Sequence, residues 1–244
     1  MIKKVIFKNI TFNNINVDDF DYLIKQKKLF LFPSGSGIPL INKNKNYYLS
    51  LKKADFVFFD SGFFVILLRL FKNISVSKFS GFKFLNIFFK YLKKNKKTKI
   101  FCIDPNFLFS KSNKNYLKKI GVKNIYNYIA PKYNPKHVND KLLVKKINHF
   151  RPDFILTNIG GGTQEILAMY LKKNIRTKSS ILCTGGAISF FTGNQAPINS
   201  FIDKIYLGWL LRLIFNPFVF IKRYIFALKL FPMVLFNKVK VIYD

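Results

Sequence analysis

One repeating unit restricts the fold of this chain more than any other feature. A short apolar run stops at a turn of small or acidic residues and gives way to a helix-forming segment. Residues 29–32 run into Pro33-Ser34-Gly35-Ser36-Gly37, and residues 54–59 into Asp60-Ser61-Gly62. Residues 99–104 end at Asp104-Pro105-Asn106, and 154–159 end at Gly160-Gly161-Gly162. Residues 180–184 end at Gly185-Gly186-Ala187. Helical patterns fill the intervals at 47–53, 63–71, about 77–94, up to 119, 137–149 and 164–173, with a further strand at 122–129. Strand and helix alternating at roughly 25-residue spacing predict a mainly parallel, Rossmann-like sheet with helices on both faces. A strand at 2–7 and a helix at 17–28, opened by Asp18 and Asp19, precede this series. Asp19-Phe20-Asp21 spells a metal-binding Asp-x-Asp, but it opens a helix rather than closing a strand, so it reads as capping.

In an α/β sheet, ligands gather where strands end and helices begin, because free N–H groups and helix N-termini face that edge. The stretch Arg151 to Glu165 has this form. Gly160, Gly161, Gly162 and Thr163 offer backbone donors, and Gln164 and Glu165 open the helix. Glu165 is the only glutamate in the chain. Gly185 and Gly186 form a second such turn. Asp60 closes its strand beside small residues, where a catalytic carboxylate sits in α/β enzymes; the local sequence fits a helix N-cap equally well.

The formal net charge is +31, which calls for an anionic partner. Lys, Asn, Ile, Phe and Tyr are enriched together, so charge alone does not name that partner and position must decide. Cys102 and Cys183 lie inside apolar runs and read as core residues of a reduced, cytoplasmic protein. His137 and His149 are isolated, and no Cys/His cluster has metal-ligand spacing. Neither a signal peptide nor an apolar stretch long enough to span a bilayer is expected. The expected division is 1–204 as the Rossmann-like domain and 205–244 as a basic, amphipathic helical appendage. There Trp209, Arg212, Arg223 and Lys229 stand among aromatic and aliphatic residues, a pattern suited to a membrane interface. A core-packed helix pair is the plainer alternative.

Four blocks, in order between residues 54 and 230, resemble the WecG/TagA/CpsF family of glycosyltransferases. They are Ala54-Asp55 through Asp60-Ser61-Gly62, Ser77-Lys78-Phe79-Ser80-Gly81, Pro152-Asp153 through Gln164-Glu165, and Gly185-Gly186-Ala187 through Ala196-Pro197, Trp209, Arg212, Asn216-Pro217 and Arg223-Tyr224. Lys78 stands where the family has arginine, Ser189 where it has aspartate, and Gln195 where it has arginine. The loop at Ser34 lacks the family's threonine-x-asparagine.

The resemblance implies an inverting, metal-independent transferase with no cofactor. It would move an N-acetylhexosamine of the N-acetylmannosamine type from a UDP-sugar to a polyprenyl-diphosphate-linked sugar in cell-envelope polysaccharide synthesis. Such an enzyme works peripherally on the inner face of the plasma membrane, against an anionic surface, and an oligomer is compatible with it. Inversion needs a base for the acceptor hydroxyl and charge stabilisation for departing UDP. Asp60 is the expected base, with Gln164 and Lys78 beside it. The glycine turns, Thr163, Glu165, Ser189, Arg212 and Arg223 are the expected binding groups. Three other classes compete. A dinucleotide-dependent oxidoreductase lacks its Gly-x-Gly-x-x-Gly turn after the first strand. A nucleic-acid binder shows no recognisable motif. A degenerate homologue kept for assembly would share the same fold.

Overall fold

The computed structural model describes residues 2–15, 17–195, 203 and 208–243. Its strands are β1 (Ile2–Phe7), β2 (Ile10–Asn13), β3 (Leu29–Leu31), β4 (Phe56–Val57), β5 (Lys99–Asp104), β6 (Asn124–Ile129), β7 (Phe154–Thr157), β8 (Ser180–Cys183) and β9 (Val239–Tyr243). Its helices are α1 (Phe20–Ile24), α2 (Lys45–Lys52), α3 (Gly62–Lys72), α4 (Gly81–Lys94), α5 (Phe107–Lys119), α6 (Lys141–Phe150), α7 (Gln164–Asn174) and α8 (Ser189–Thr192). After residue 204 come α9 (Gly208–Phe215), α10 (Pro217–Ala227) and α11 (Leu230–Phe236). The six central strands pair in the order β4-β3-β8-β7-β5-β6, and every pair is parallel.

Alternate residues of each central strand feed two separate cores, as a sheet covered on both faces requires. Leu29, Leu31, Phe101, Ile103, Ile155 and Ile181 point to one side, where α2, α3, α6 and α7 pack. Phe30, Phe32, Ile100, Cys102, Leu156 and Leu182 point to the other, under α1, α4 and α5. Helix α4 shows how sequence sets this packing. Phe84, Leu85, Phe88, Phe89 and Leu92 recur at helical spacing and are all buried, and Phe88 meets Phe154 edge-on with centroids 4.9 Å apart. Helix starts follow capping chemistry: Ser61 Oγ accepts from Phe64 N at 3.2 Å, and Ser80 Oγ from Lys83 N at 3.1 Å. Each such cap contributes about 1 kcal/mol.

Several expectations need correction. The helix expected at 17–28 shrinks to a 3-10 turn, Val17–Asp19, plus α1; Lys27 must take a positive φ of 51° so that the chain can turn into β3. The strand expected at 54–59 pairs only over Phe56–Val57. It is an edge strand, and beyond it Phe58 makes a single bridge to Asn13. The helix expected from 137 starts at Lys141, where Asp140 Oδ1 accepts from Leu143 N at 2.8 Å. The chain after residue 204 is not helical throughout. It ends in β9, which pairs antiparallel with β1, and β1 pairs antiparallel with β2. This small sheet was not anticipated, because its two halves lie at opposite ends of the chain. Leu230, Met233 and Val234 of α11 enter the core. Pro232 is tolerated because it falls in the first turn of α11, where no intrahelical N–H bond is lost. No helix among the described residues is long and apolar enough to cross a membrane.

Candidate active site

Because β4, β3, β8 and β7 are adjacent and parallel, the turns that follow them leave the sheet along one edge. That brings together Ser34 to Gly37, Asp60-Ser61, Thr184 to Ser189 and Asn158 to Glu165. The opposite edge is structural. Asp55, at the amino end of β4, accepts from Leu29 N at 2.8 Å and from Lys172 Nζ at 2.6 Å, joining β3 to α7. Asp153 likewise accepts from Lys99 N at 2.9 Å. The two aspartates that open the Ala-Asp and Pro-Asp blocks therefore knit strand starts together, away from any ligand edge.

Asp60 is free of the alternative role that its sequence allowed, since Ser61 caps α3. Its Oδ1 instead accepts from Gly81 N at 2.8 Å, at the start of α4. Burial raises the Asp60 pKa; the Gly81 bond and the charges of Arg212 and Lys78 oppose that rise, and Asp203 adds to it. A partly buried carboxylate, held by one N–H and lying near two cations, is placed to accept a proton. Small residues let the loops close around it. A side chain at Gly35 would come within 2.7 Å of Ser61 Oγ, and one at Gly81 within 3.4 Å of Thr184 O.

The glycine turn divides into an open half and an occupied half. Gly160 and Gly161 are exposed. Gly162, at φ 91°, donates its N–H to Glu165 Oε2 at 2.7 Å. Thr163 occupies the N-cap of α7 without a side-chain capping bond, so Glu165 does that job by reaching back. Glu165 is buried, and burial lifts its pKa from 4.5 to about 7, against hydrogen bonds from Gln164 and Gly162. Gln164 is buried as well. It donates to Glu165 Oε1 at 3.1 Å and to Cys183 O at 3.4 Å, and it accepts from Thr157 Oγ1 at 3.3 Å. Both side chains thus brace the floor between β7 and β8. Gly185, at φ 58°, passes so close that a Cβ there would lie 3.3 Å from Gln164 Nε2. Gly186 is covered by Gln195, whose Nε2 lies 2.8 Å from where a Cβ would stand.

The cations are placed differently from one another. Lys78 is paired: its Nζ lies 2.6 Å from Asp203 Oδ1 and also donates to Asp203 O at 2.9 Å. Ser80 Oγ donates to Asp203 Oδ2 at 2.9 Å. Arg212 lies over the Phe190 ring at 4.7 Å and is close enough to Asp60 to lower its pKa. Its Nε is buried with no partner among the described residues, and Arg212 acts on the neighbouring Tyr224 hydroxyl, opposing the rise in pKa that burial causes there. Arg223 is exposed over Phe220. Ser189 is buried, and its Oγ has no partner among the described residues. Ala196 and Pro197 lie outside the described residues.

Two residues escaped the sequence reading, and a third, Asp104, was named only as a strand end. Asp203 neutralises Lys78 and bears on Asp60, yet nothing local marks it except its rarity as an acid. Tyr47, buried on α2, has a hydroxyl with no partner among the described residues; burial raises its pKa, helped by Glu165 and Asp60. Asp104 ends β5 fully buried and accepts from Asn113, Asn127 and Asn158 amides at 2.7–2.8 Å. Asn158 leads into the glycine turn, so this knot anchors the turn's base. Among the described residues, no group of three His, Cys, Asp or Glu side chains could hold a metal ion.

The sequence matches the glycosyl transferase WecG/TagA/CpsF family over residues 2–241. It is also similar to an N-acetylglucosaminyldiphosphoundecaprenol N-acetyl-beta-D-mannosaminyltransferase of Bacillus subtilis (strain 168). The two are 27% identical over 222 residues, covering 86% of this chain and 82% of the relative. The family match spans nearly the whole described fold, including β1 and the first part of β9, and takes in every block that meets at the carboxyl edge of the sheet. The chain belongs to the WecG/TagA/CpsF family of glycosyltransferases.

Proposed function

We propose that this glycosyltransferase moves an N-acetylmannosamine-type sugar from a UDP-sugar to a polyprenyl-diphosphate-linked N-acetylglucosamine, with inversion and without a metal, in cell-envelope polysaccharide synthesis. The acceptor class follows the activity in the relative's name. The observation that carries the mechanism is Asp60: released from capping by Ser61, held by Gly81 N, and raised in pKa by burial. In the reaction the acceptor hydroxyl gives its proton to Asp60 as its oxygen bonds to the anomeric carbon. The bond from that carbon to the diphosphate oxygen breaks, and UDP leaves with the electron pair. Arg212 and the open N–H groups of Gly160 and Gly161 stabilise the charge that develops on the diphosphate.

The outer surface of α9 to α11 supports work at an anionic membrane. Phe218 is 88% exposed and Phe236 80% exposed, and Lys222, Arg223 and Lys229 lie among them. Aromatic residues next to cations fit the headgroup region, and a lipid-linked acceptor is met there. The working location is the inner face of the plasma membrane.

The test is UDP release from a panel of UDP-N-acetylhexosamines, with a lipid-diphosphate N-acetylglucosamine acceptor. Asp60→Asn should lower turnover by roughly 10²–10⁴-fold while leaving the UDP dissociation constant within about twofold. Full turnover in Asp60→Asn would remove Asp60 as the base. No UDP release from any donor by the unaltered enzyme would remove the donor class.

A further inference from the structure

Beside the Asp60 site, and sharing Lys78 and Asp203 with it, a groove runs between α3 and α4. It has a volume of about 560 Å³, inside the roughly 300–1,000 Å³ typical of small-ligand sites. Ile66 and Arg69 of α3 face Phe82, Lys83 and Ile87 of α4 across it, and Lys78 and Asp203 form the wall toward Asp60. We propose that this groove seats the lipid diphosphate of the acceptor, with Arg69 and Lys83 on the diphosphate and Ile66, Phe82 and Ile87 along the first isoprenoid units. The assignment rests on the acceptor class proposed above.

Three features carry it. The first is charge. Among the described residues, three cations line the groove against a single carboxylate, and that carboxylate is committed to Lys78 at 2.6 Å. Among the described residues, neither Arg69 nor Lys83 has a carboxylate within 4.0 Å. Two uncompensated cations on facing helices suit a dianionic head, and a guanidinium binds phosphate through two parallel bonds. The second is the apolar wall. A free diphosphate makes no use of Ile66, Phe82 and Ile87, whereas a prenyl chain does. The third is position. Leu70 extends the outer face of α3 beyond Ile66 and is exposed. At its inner end, Lys78 is close enough to act on the Asp60 charge, so a sugar carried on the diphosphate is directed toward the base.

The test uses the full chain and farnesyl diphosphate, a soluble prenyl diphosphate, titrated calorimetrically beside inorganic diphosphate and UDP. The unaltered protein should bind farnesyl diphosphate more tightly than inorganic diphosphate. Arg69→Glu/Lys83→Glu should weaken farnesyl diphosphate by at least about tenfold and leave UDP within about twofold. A control reversal on α5, Lys114→Glu/Lys118→Glu, should change neither. Ile66→Asp should weaken farnesyl diphosphate while sparing inorganic diphosphate. Unchanged farnesyl diphosphate binding in Arg69→Glu/Lys83→Glu overturns the assignment, as does equal binding of the two diphosphates by the unaltered protein. Binding is read without turnover. Prenyl diphosphate bound at the groove with no UDP release in the transferase assay would refute the proposed reaction and leave the groove standing.

Discussion

Glu165→Gln should change the pH dependence of stability in a defined direction. Glu165 is 1% exposed, and its pKa rises from 4.5 to about 7, chiefly because burial disfavours the carboxylate. Between those values the folded chain keeps a proton that the unfolded chain has lost, so stability falls as pH rises through the window. Below pH 4.5 there is no penalty, and above pH 7 it is fully present. At about 1.4 kcal/mol per pKa unit, the total is roughly 3 kcal/mol. Glutamine stays neutral throughout and can still accept the Gly162 N–H, so it removes the penalty at high pH. A constant offset from repacking the amide against Gln164 would not change the slope. Urea unfolding of both proteins from pH 4.5 to 8 gives the comparison, at matched ionic strength because the chain is so basic. Relative to the unaltered protein, Glu165→Gln should gain up to about 3 kcal/mol across that range. Parallel curves, within about 0.5 kcal/mol, would refute the reasoning and mean that Glu165 titrates alike in both states.

Two further outcomes follow from the same geometry. Asp104→Ala leaves the Asn113, Asn127 and Asn158 amides without their buried acceptor and should cost about 3–5 kcal/mol in urea unfolding; a loss below about 1 kcal/mol would mean that the knot is not structural. Phe218→Asp/Phe236→Asp alters only exposed side chains, so the melting temperature should hold within about 2 °C while co-sedimentation with anionic liposomes falls severalfold. Unchanged co-sedimentation would remove these helices from the membrane contact.

The candidate site was legible in part, and the division has a physical reason. Asp60 stood out because a carboxylate at a strand end is a local pattern, although whether it caps the next helix was open until Ser61 was seen in that role. Gln164 and Glu165 also stood out, but their partners could not be read. The Thr157 hydroxyl and Cys183 carbonyl that hold Gln164 meet it only when β7 and β8 pair. Lys78 looked like a cation for the diphosphate, and Asp203, 125 residues away, binds it. Arg69 and Lys83 had no local signal at all. Each is an ordinary lysine or arginine on a helix, in a chain with 42 of them, until two helices face each other.

By itself the sequence determined what local periodicity and chain order can encode. That covers the strand–turn–helix series, the parallel sheet with two buried faces, the family blocks, and the turns where chemistry was to be sought. These depend on side-chain spacing along the chain, which packing does not alter. Tertiary structure alone decided which turns share an edge, that Asp55 and Asp153 join strands at the opposite one, and that Gly162 gives its N–H to Glu165. It also brought the two ends of the chain together as β1 and β9. Contacts of that kind depend on strand order and on the loops that bring distant segments together, and no local window of sequence carries either.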